Sequence, residues 1–144
     1  MKTPFAAALI STSLIFGGLA LAAPAMASPI DGVWQTQEVG GTVQIYECGA
    51  ALCGKVLTSA RIKANPNVAD DKNHDESLRS RLLKGMVIMT GFTGGPPDWK
   101  DGSIYNPEDG GTYRGSIHMS DPDTLKLKGC WAFICKTQTW KKLP

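Results

Sequence analysis

From residue 32 onward, apolar and polar positions alternate in short runs separated by turn residues. The runs are Gly32 to Glu38 (GVWQTQE), Thr42 to Glu47 (TVQIYE), about Gly54 to Thr58, and Met86 to Phe92 (MVIMTGF). Four more follow: around Trp99 to Tyr105, Thr112 to Met119, Thr124 to Gly129 (TLKLKG), and about Phe133 to Lys141. In TLKLKG the period is two, with Leu125 and Leu127 on one face and Lys126 and Lys128 on the other. Gly40-Gly41, the stretch Asn106 to Gly111 (NPEDGG) and Asp121-Pro122-Asp123 are strong turn signals, because proline presets φ and glycine accepts positive φ. Eight short strands predict an all-β fold, an antiparallel sandwich or barrel. A small eight-stranded up-and-down barrel suits the length and leaves no exposed sheet edge.

One segment breaks this rhythm. Ala60 to Lys84 is too long for a hairpin loop, and its second half, DESLRSRLLKG, predicts a short helix. Asp75 is the N-cap, Leu78 and Leu82 share one face, and Arg79, Arg81 and Lys84 lie toward the C-terminal end, where cations are favoured. Gly85 suits the C-terminal cap.

Ahead of the runs, residues 1–27 read as a cleaved leader. Lys2 is followed by an apolar stretch from Phe5 to about Ala22, and Ala25-Met26-Ala27 supplies the small-x-small pattern that a signal peptidase reads. The expected product is residues 28–144, a single exported domain in the periplasm or secreted beyond it, and not an integral membrane protein. It carries 14 basic and 13 acidic residues, since Lys2 is the one charge removed. Bulk charge therefore favours neither nucleic acid nor an anionic membrane.

Four cysteines, Cys48, Cys53, Cys130 and Cys135, remain after the leader. An even number in an exported chain predicts two disulfides. Zinc knuckles usually place two residues between paired cysteines, and both pairs here hold four, so no metal site is expected. Opposed residues in a non-hydrogen-bonded antiparallel pair stand close enough to be bridged. Cys48–Cys53 and Cys130–Cys135 are thus expected to clasp the hairpin of the second and third runs and that of the seventh and eighth. Loop entropy does not select this pairing, because a six-residue ring yields only about 2 kcal/mol; matched spacing and register do.

The second clasp raises a question. Between its cysteines lie Trp131, Ala132, Phe133 and Ile134, where polar turn residues are the rule. Either this tip folds inward and plugs one end of the barrel, which is the favoured expectation, or Trp131, Phe133 and Ile134 face outward as an interaction patch for an envelope protein.

The chemistry-bearing residues are few. Asp70, Asp71, Asp75 and Glu76 with Asn73 suggest a cation loop. Aligning Asp71, Asn73 and Asp75 with the first three calcium-loop positions, however, puts Glu76 at the required glycine and Leu82 at the bidentate glutamate. A solvated loop feeding the helix is the expectation. His74 and His118 are the only histidines, and no nucleophile elbow or zinc-protease motif is present, so no catalytic residue or cofactor is assigned. Tyr46, Trp99, Tyr105, Tyr113 and Trp140 are amphipathic aromatics on strands, expected mainly to pack in the core and at the barrel rim. Trp34, Tyr46, Trp99, Tyr105 and Tyr113 are nonetheless the candidates to line a cavity, because eight-stranded barrels can hold one small ligand.

Several segments, taken in order, resemble a bacterial family of small exported proteins of unknown function. They are G-V-W-Q-T at Gly32, I-Y-E-C-G-A-A-L-C-G-K at Ile45 and D-D-K-N-H-D-E-S-L-R-S-R at Asp70. Further on come G-F at Gly91, W-K-D-G-S-I-Y-N-P-E-D-G at Trp99, L-K-L-K-G at Leu125 and T-Q-T-W at Thr137. The resemblance implies export and a lipocalin-like (calycin-like) barrel with an early G-x-W on its first strand, and no settled activity. Its members commonly carry N-P-D where Asn73-His74-Asp75 stands, and an arginine where Lys142 stands; lysine packs less well on an aromatic ring. They often keep only the first cysteine pair, which implies a local Cys48–Cys53 link. The expected function is binding of a small apolar or amphipathic molecule, with a protein-binding module built on the apolar tip as the alternative.

Overall fold

The alternating runs close on themselves. In the computed structural model, which describes residues 27–144, eight strands form a closed antiparallel barrel in sequence order. They are β1 (Gly32–Gln35), β2 (Thr42–Cys48), β3 (Ala51–Thr58), β4 (Val87–Gly95), β5 (Asp98–Asn106), β6 (Gly111–Asp121), β7 (Thr124–Trp131) and β8 (Ile134–Lys142). The leader expected over residues 1–27 lies outside the described residues, apart from Ala27.

Inward positions follow the period of two. Val43 and Ile45 on β2, Leu52 and Val56 on β3, Ile117 and Met119 on β6, and Leu125 and Leu127 on β7 are all buried. One end of the bore is solid. Trp34, Trp99, Phe92, Met89, Ile45, Ile117 and Leu125 interlock there with Ile30, and the Trp34 indole N–H donates to the Ile30 carbonyl at 2.8 Å. Across the middle, Gly102, Gly115 and Gly129 stand opposite one another on β5, β6 and β7. A side chain on Gly102 would collide with the Phe92 ring, and a Cβ on Gly115 would lie 2.6 Å from Phe92 and 2.8 Å from Ile104. The glycines of β5 and β6 are therefore where the large residues fit. At Gly129 a Cβ would meet only Tyr113 and Ile104, at ordinary contact distances of 3.6 and 3.7 Å.

The barrel closes through two residue pairs, Trp34↔Lys142 and Gln35↔Lys141. The Gln37 side-chain carbonyl adds a bond from the Thr139 N–H at 3.2 Å. The Lys142 ammonium stands 5.5 Å from the centre of the Trp34 ring.

Both predicted disulfides are present, at opposite ends. Cys130 and Cys135 are opposed as expected, with Cα atoms 4.1 Å apart. Cys48 instead pairs with Ala51 and Cys53 with Tyr46, so the first clasp is diagonal, with 5.8 Å between Cα atoms. Both hairpins turn through two residues, Gly49-Ala50 and Ala132-Phe133, the first of each having positive φ (73° and 51°). The four-residue loops expected from the cysteine spacing are thus shortened by continued strand pairing.

The segment between β3 and β4 differs from expectation. The short helix, α1, is Ala60–Ala64, with Ser59 as its N-cap. DESLRSRLLKG forms only a single 3-10 turn, Glu76–Leu78. Asp75 does cap that turn, accepting from the Ser77 N–H at 2.9 Å. The helix fails because burying Leu83, not the Leu78/Leu82 stripe, fixes the chain. Leu83 packs with Val56, Ile62 and Met86, while Leu82 is exposed. Ala69 and Leu82 form a β-bridge instead. Gly85, with φ of 79°, donates its N–H to the Val56 carbonyl and returns the chain to the wall.

The glycine row separates two environments, so two equivalent substitutions should behave differently. Gly115→Ala should cost about 1–3 kcal/mol, the range for overpacking a filled core. Gly129→Ala should stay within about 0.5 kcal/mol. Urea midpoints of the two variants check this, and equal losses would contradict the described packing.

Candidate functional site

Beyond the glycine row the bore is empty. A cavity of about 920 Å³ opens at the end formed by the β1–β2, β5–β6 and β7–β8 turns and the β3–β4 segment. Its apolar walls are Val43, Val56, Ile88, Ile104, Leu127 and Trp140, with Leu83 contributed by the β3–β4 segment. Gly129 lies among them, and the missing side chain leaves room. The rim is polar, carrying Thr36, Thr42, Thr58, Arg61, His74, Glu108, Asp109, Tyr113, Lys136 and Gln138. The Trp140 indole N–H is satisfied by Gln138 Oε1 at 2.8 Å, so the wall presents the ring rather than an open donor. An apolar interior with polar groups gathered at one mouth suits a molecule with an apolar body and a polar end.

A hub holds the β3–β4 segment against the barrel. Asp70, fully buried, accepts from the Tyr105 hydroxyl at 2.6 Å, the Asn73 amide at 2.8 Å and the Arg81 guanidinium at 2.9 Å. Burial pushes the Asp70 carboxyl up, but these three donors outweigh it and hold it below the usual carboxylate value. Burial, then the bond to Asp70, pushes the Tyr105 phenol up to about 12. A second set of contacts ties the segment to the β5–β6 turn. Arg61 pairs with Asp71 and donates to the Pro107 carbonyl at 3.3 Å, and Lys72 reaches Glu108 at 3.3 Å. The expected solvated acidic loop is therefore wrong for Asp70 and Asn73, both of which are buried. Asp70 is matched within the hub, and the Asn73 side-chain carbonyl accepts from the Asp75 N–H at 2.8 Å.

The five aromatic candidates part company. Tyr105 and Tyr113 line the cavity, the Tyr113 hydroxyl donating to Asp109 at 2.7 Å. Trp34 and Trp99 are buried in the solid end. Tyr46 lies on the outer face beside Lys55, whose ammonium is 5.7 Å from the ring. The expected plug does not form: Trp131, Phe133 and Ile134 are 67%, 93% and 56% exposed. Trp131 and Ile134 are paired strand residues forming one side of the mouth, and Phe133 occupies the turn. Continued strand pairing past the disulfide carries the tip beyond the end of β1, so it cannot reach across the bore. His118 has a partner after all, Asp98, directly opposite on β5 at 2.9 Å, but the pair sits on the outer surface. The aliphatic walls escaped sequence reasoning. Gly129 was the available signal, a glycine continuing the inward series Leu125-Leu127.

Over residues 32–142 the sequence matches the family described as "Uncharacterized protein conserved in bacteria" (DUF2147). The chain belongs to that family. Among solved structures, this DUF2147 barrel is similar to protein HP1028 from Helicobacter pylori, described as belonging to the lipocalin family. The two share 26% identity and a TM-score of 0.72 over 81% of this chain and 84% of the other. No curated protein matches the sequence. The DUF2147 chain is thus a lipocalin-like barrel. Its two disulfides fit an oxidising, extracytoplasmic compartment. Among the described residues, no helix is long and apolar enough to cross a membrane.

The hub makes stability depend on pH with a definite sign. Asp70 titrates lower in the folded chain than in the unfolded one. Its contribution is therefore complete above the ordinary carboxylate value and lost as pH falls through the folded value. Asp70→Asn should destabilise by about 1–3 kcal/mol at neutral pH. The deficit relative to the parent should shrink as pH drops below about 4. Urea titrations at several pH values test this, and a deficit constant with pH would contradict it.

Proposed function

We propose that this protein binds a small apolar or amphipathic molecule in the open half of its barrel. The molecule's apolar body would lie against Ile88, Ile104, Leu127 and Trp140, and its polar end among the rim groups. The observation that carries this reading is the lined cavity beyond the glycine row, apolar within and polar at its mouth. Its volume lies inside the range of small-molecule sites, roughly 300–1,000 Å³. The likeness to a solved protein of the lipocalin family supports it. Residues 1–27 carry a leader pattern, and the two disulfides agree with export, so we place the mature chain, residues 28–144, in the periplasm.

The alternative reading, a protein-binding module built on the apolar tip, draws on the exposure of Trp131 and Phe133. It does not account for the cavity.

Gly129→Leu separates binding from folding. It sends a side chain into the cavity from a wall position where a Cβ meets no close neighbour. The parent should bind a naphthylamine-type fluorescent probe and release it to long-chain amphiphiles. The variant should bind at least about tenfold more weakly, a loss of roughly 1.4 kcal/mol. Its melting temperature should equal or exceed that of the parent. Probe binding that survives Gly129→Leu unchanged would defeat the proposal.

A further inference from the structure

The charge of the chain is unevenly placed. Residues 124–144, the β7–β8 hairpin and its tail, hold five lysines and no acidic residue. Residues 28–123 hold nine basic and thirteen acidic ones. Near-neutral bulk charge therefore conceals a strongly basic hairpin. Arg114, reaching the Ala132 carbonyl at 3.4 Å, adds another cation at its tip.

Lys126, Lys141 and Lys142 lie toward the far end of the hairpin, Lys141 and Lys142 donating to Thr124 and Pro29, whereas Lys128, Lys136 and Arg114 stand near the tip, where apolar exposure is concentrated. Trp131, Phe133 and Ile134 stand at the tip, and Val39, 88% exposed, stands on the neighbouring β1–β2 turn at the same mouth. Lys128 and Lys136 flank the tip on the two strands of the hairpin, and both are exposed. Acidic groups near the mouth are largely spent on internal partners: Asp71 and Glu108 face Arg61 and Lys72. Asp109 accepts from Tyr113, Asn106 and the Gly111 N–H. Glu38 is the rim acid without such a partner among the described contacts.

We propose that the β7–β8 hairpin docks the barrel, mouth first, on an anionic phospholipid bilayer. Trp131, Phe133 and Ile134 enter the interfacial layer, and Lys128, Lys136 and Arg114 meet the phosphate groups. Tryptophan and phenylalanine with flanking cations are the side chains that favour this layer. A protein partner would use the apolar tip but gives no reason for the three exposed cations, Lys128, Lys136 and Arg114, set around it with no acid on the hairpin. Docking does not require that the cavity be filled. If the reading of the cavity also holds, the mouth would exchange its ligand with the bilayer without exposing the ligand to water.

Trp131 is the natural reporter, because Trp34, Trp99 and Trp140 are all buried. Vesicles of equimolar phosphatidylglycerol and phosphatidylcholine should shift its emission to the blue and protect it from iodide. Vesicles of phosphatidylcholine alone should not. Raising the salt should reverse the effect, and Lys128→Gln with Lys136→Gln should lower the vesicle partition coefficient on the order of tenfold or more. Gly129→Leu should dock like the parent. Loss of the signal in Gly129→Leu would mean that lipid was entering the cavity, and would overturn docking while leaving the binding proposal intact. An unshifted Trp131 on the anionic vesicles would also overturn it. So would a Trp131 that responds to added envelope protein and not to these vesicles, which would assign the tip to a protein.

Discussion

Eight strands fix the width of a barrel, and the rest of this molecule depends on how its side chains meet that fixed bore. At one end they fill it. Trp34, Trp99 and Phe92 pack together there, and the Phe92 ring fits only because Gly102 and Gly115 carry no side chain against it. At the other end the inward residues are mostly medium-sized aliphatics and Gly129, with Trp140, Tyr105 and Tyr113 at the wall, and they leave the same width unfilled. Since the number of strands does not change along the axis, the open half cannot shrink to fit them. The cavity is the geometric consequence.

An open end still needs a wall that stays in place, and the β3–β4 segment supplies part of it. Leu83 alone would anchor it weakly. The Asp70 hub joins the segment to β5 through Tyr105 and to its own return strand through Arg81. A buried carboxylate is costly unless its lone pairs are satisfied. Here three donors satisfy it, and losing any one strands a charge. The hub and Leu83 together hold the segment against the barrel, with Arg61 and Leu83 on the cavity. On the opposite side of the mouth the Cys130–Cys135 clasp fixes the hairpin that extends beyond β1.

Much of this was legible in the residues. The clean alternation of TLKLKG, the turn residues around Asn106 to Gly111 and the even cysteine count led to the strands, the barrel and both disulfides. Three features were hidden, each for a physical reason. The Leu78/Leu82 pair looked like a helical stripe, but Leu83 found a buried site and tertiary packing overrode local periodicity. Asp70 sat in a run of acids and looked solvated; its burial depends on Tyr105, 35 residues away. The tip read as a plug because four consecutive apolar residues call for shelter from water. The register of β7 with β8 carries it outside the bore instead. The division of the aromatics was also out of reach, because inside and outside in a closed barrel depend on register as well as alternation, and bulges such as the one between Trp99 and Gly102 change it.

The central claim is that one half of the bore is solid and the other receives a ligand. Methyl-resolved NMR during titration with a long-chain amphiphile tests it most directly. The account predicts shifts at the methyls of Val43, Val56, Leu83, Ile88, Ile104 and Leu127, with those of Ile45, Leu52, Ile117 and Leu125 unmoved. Shifts confined to surface methyls, or spread equally through both halves, would contradict it.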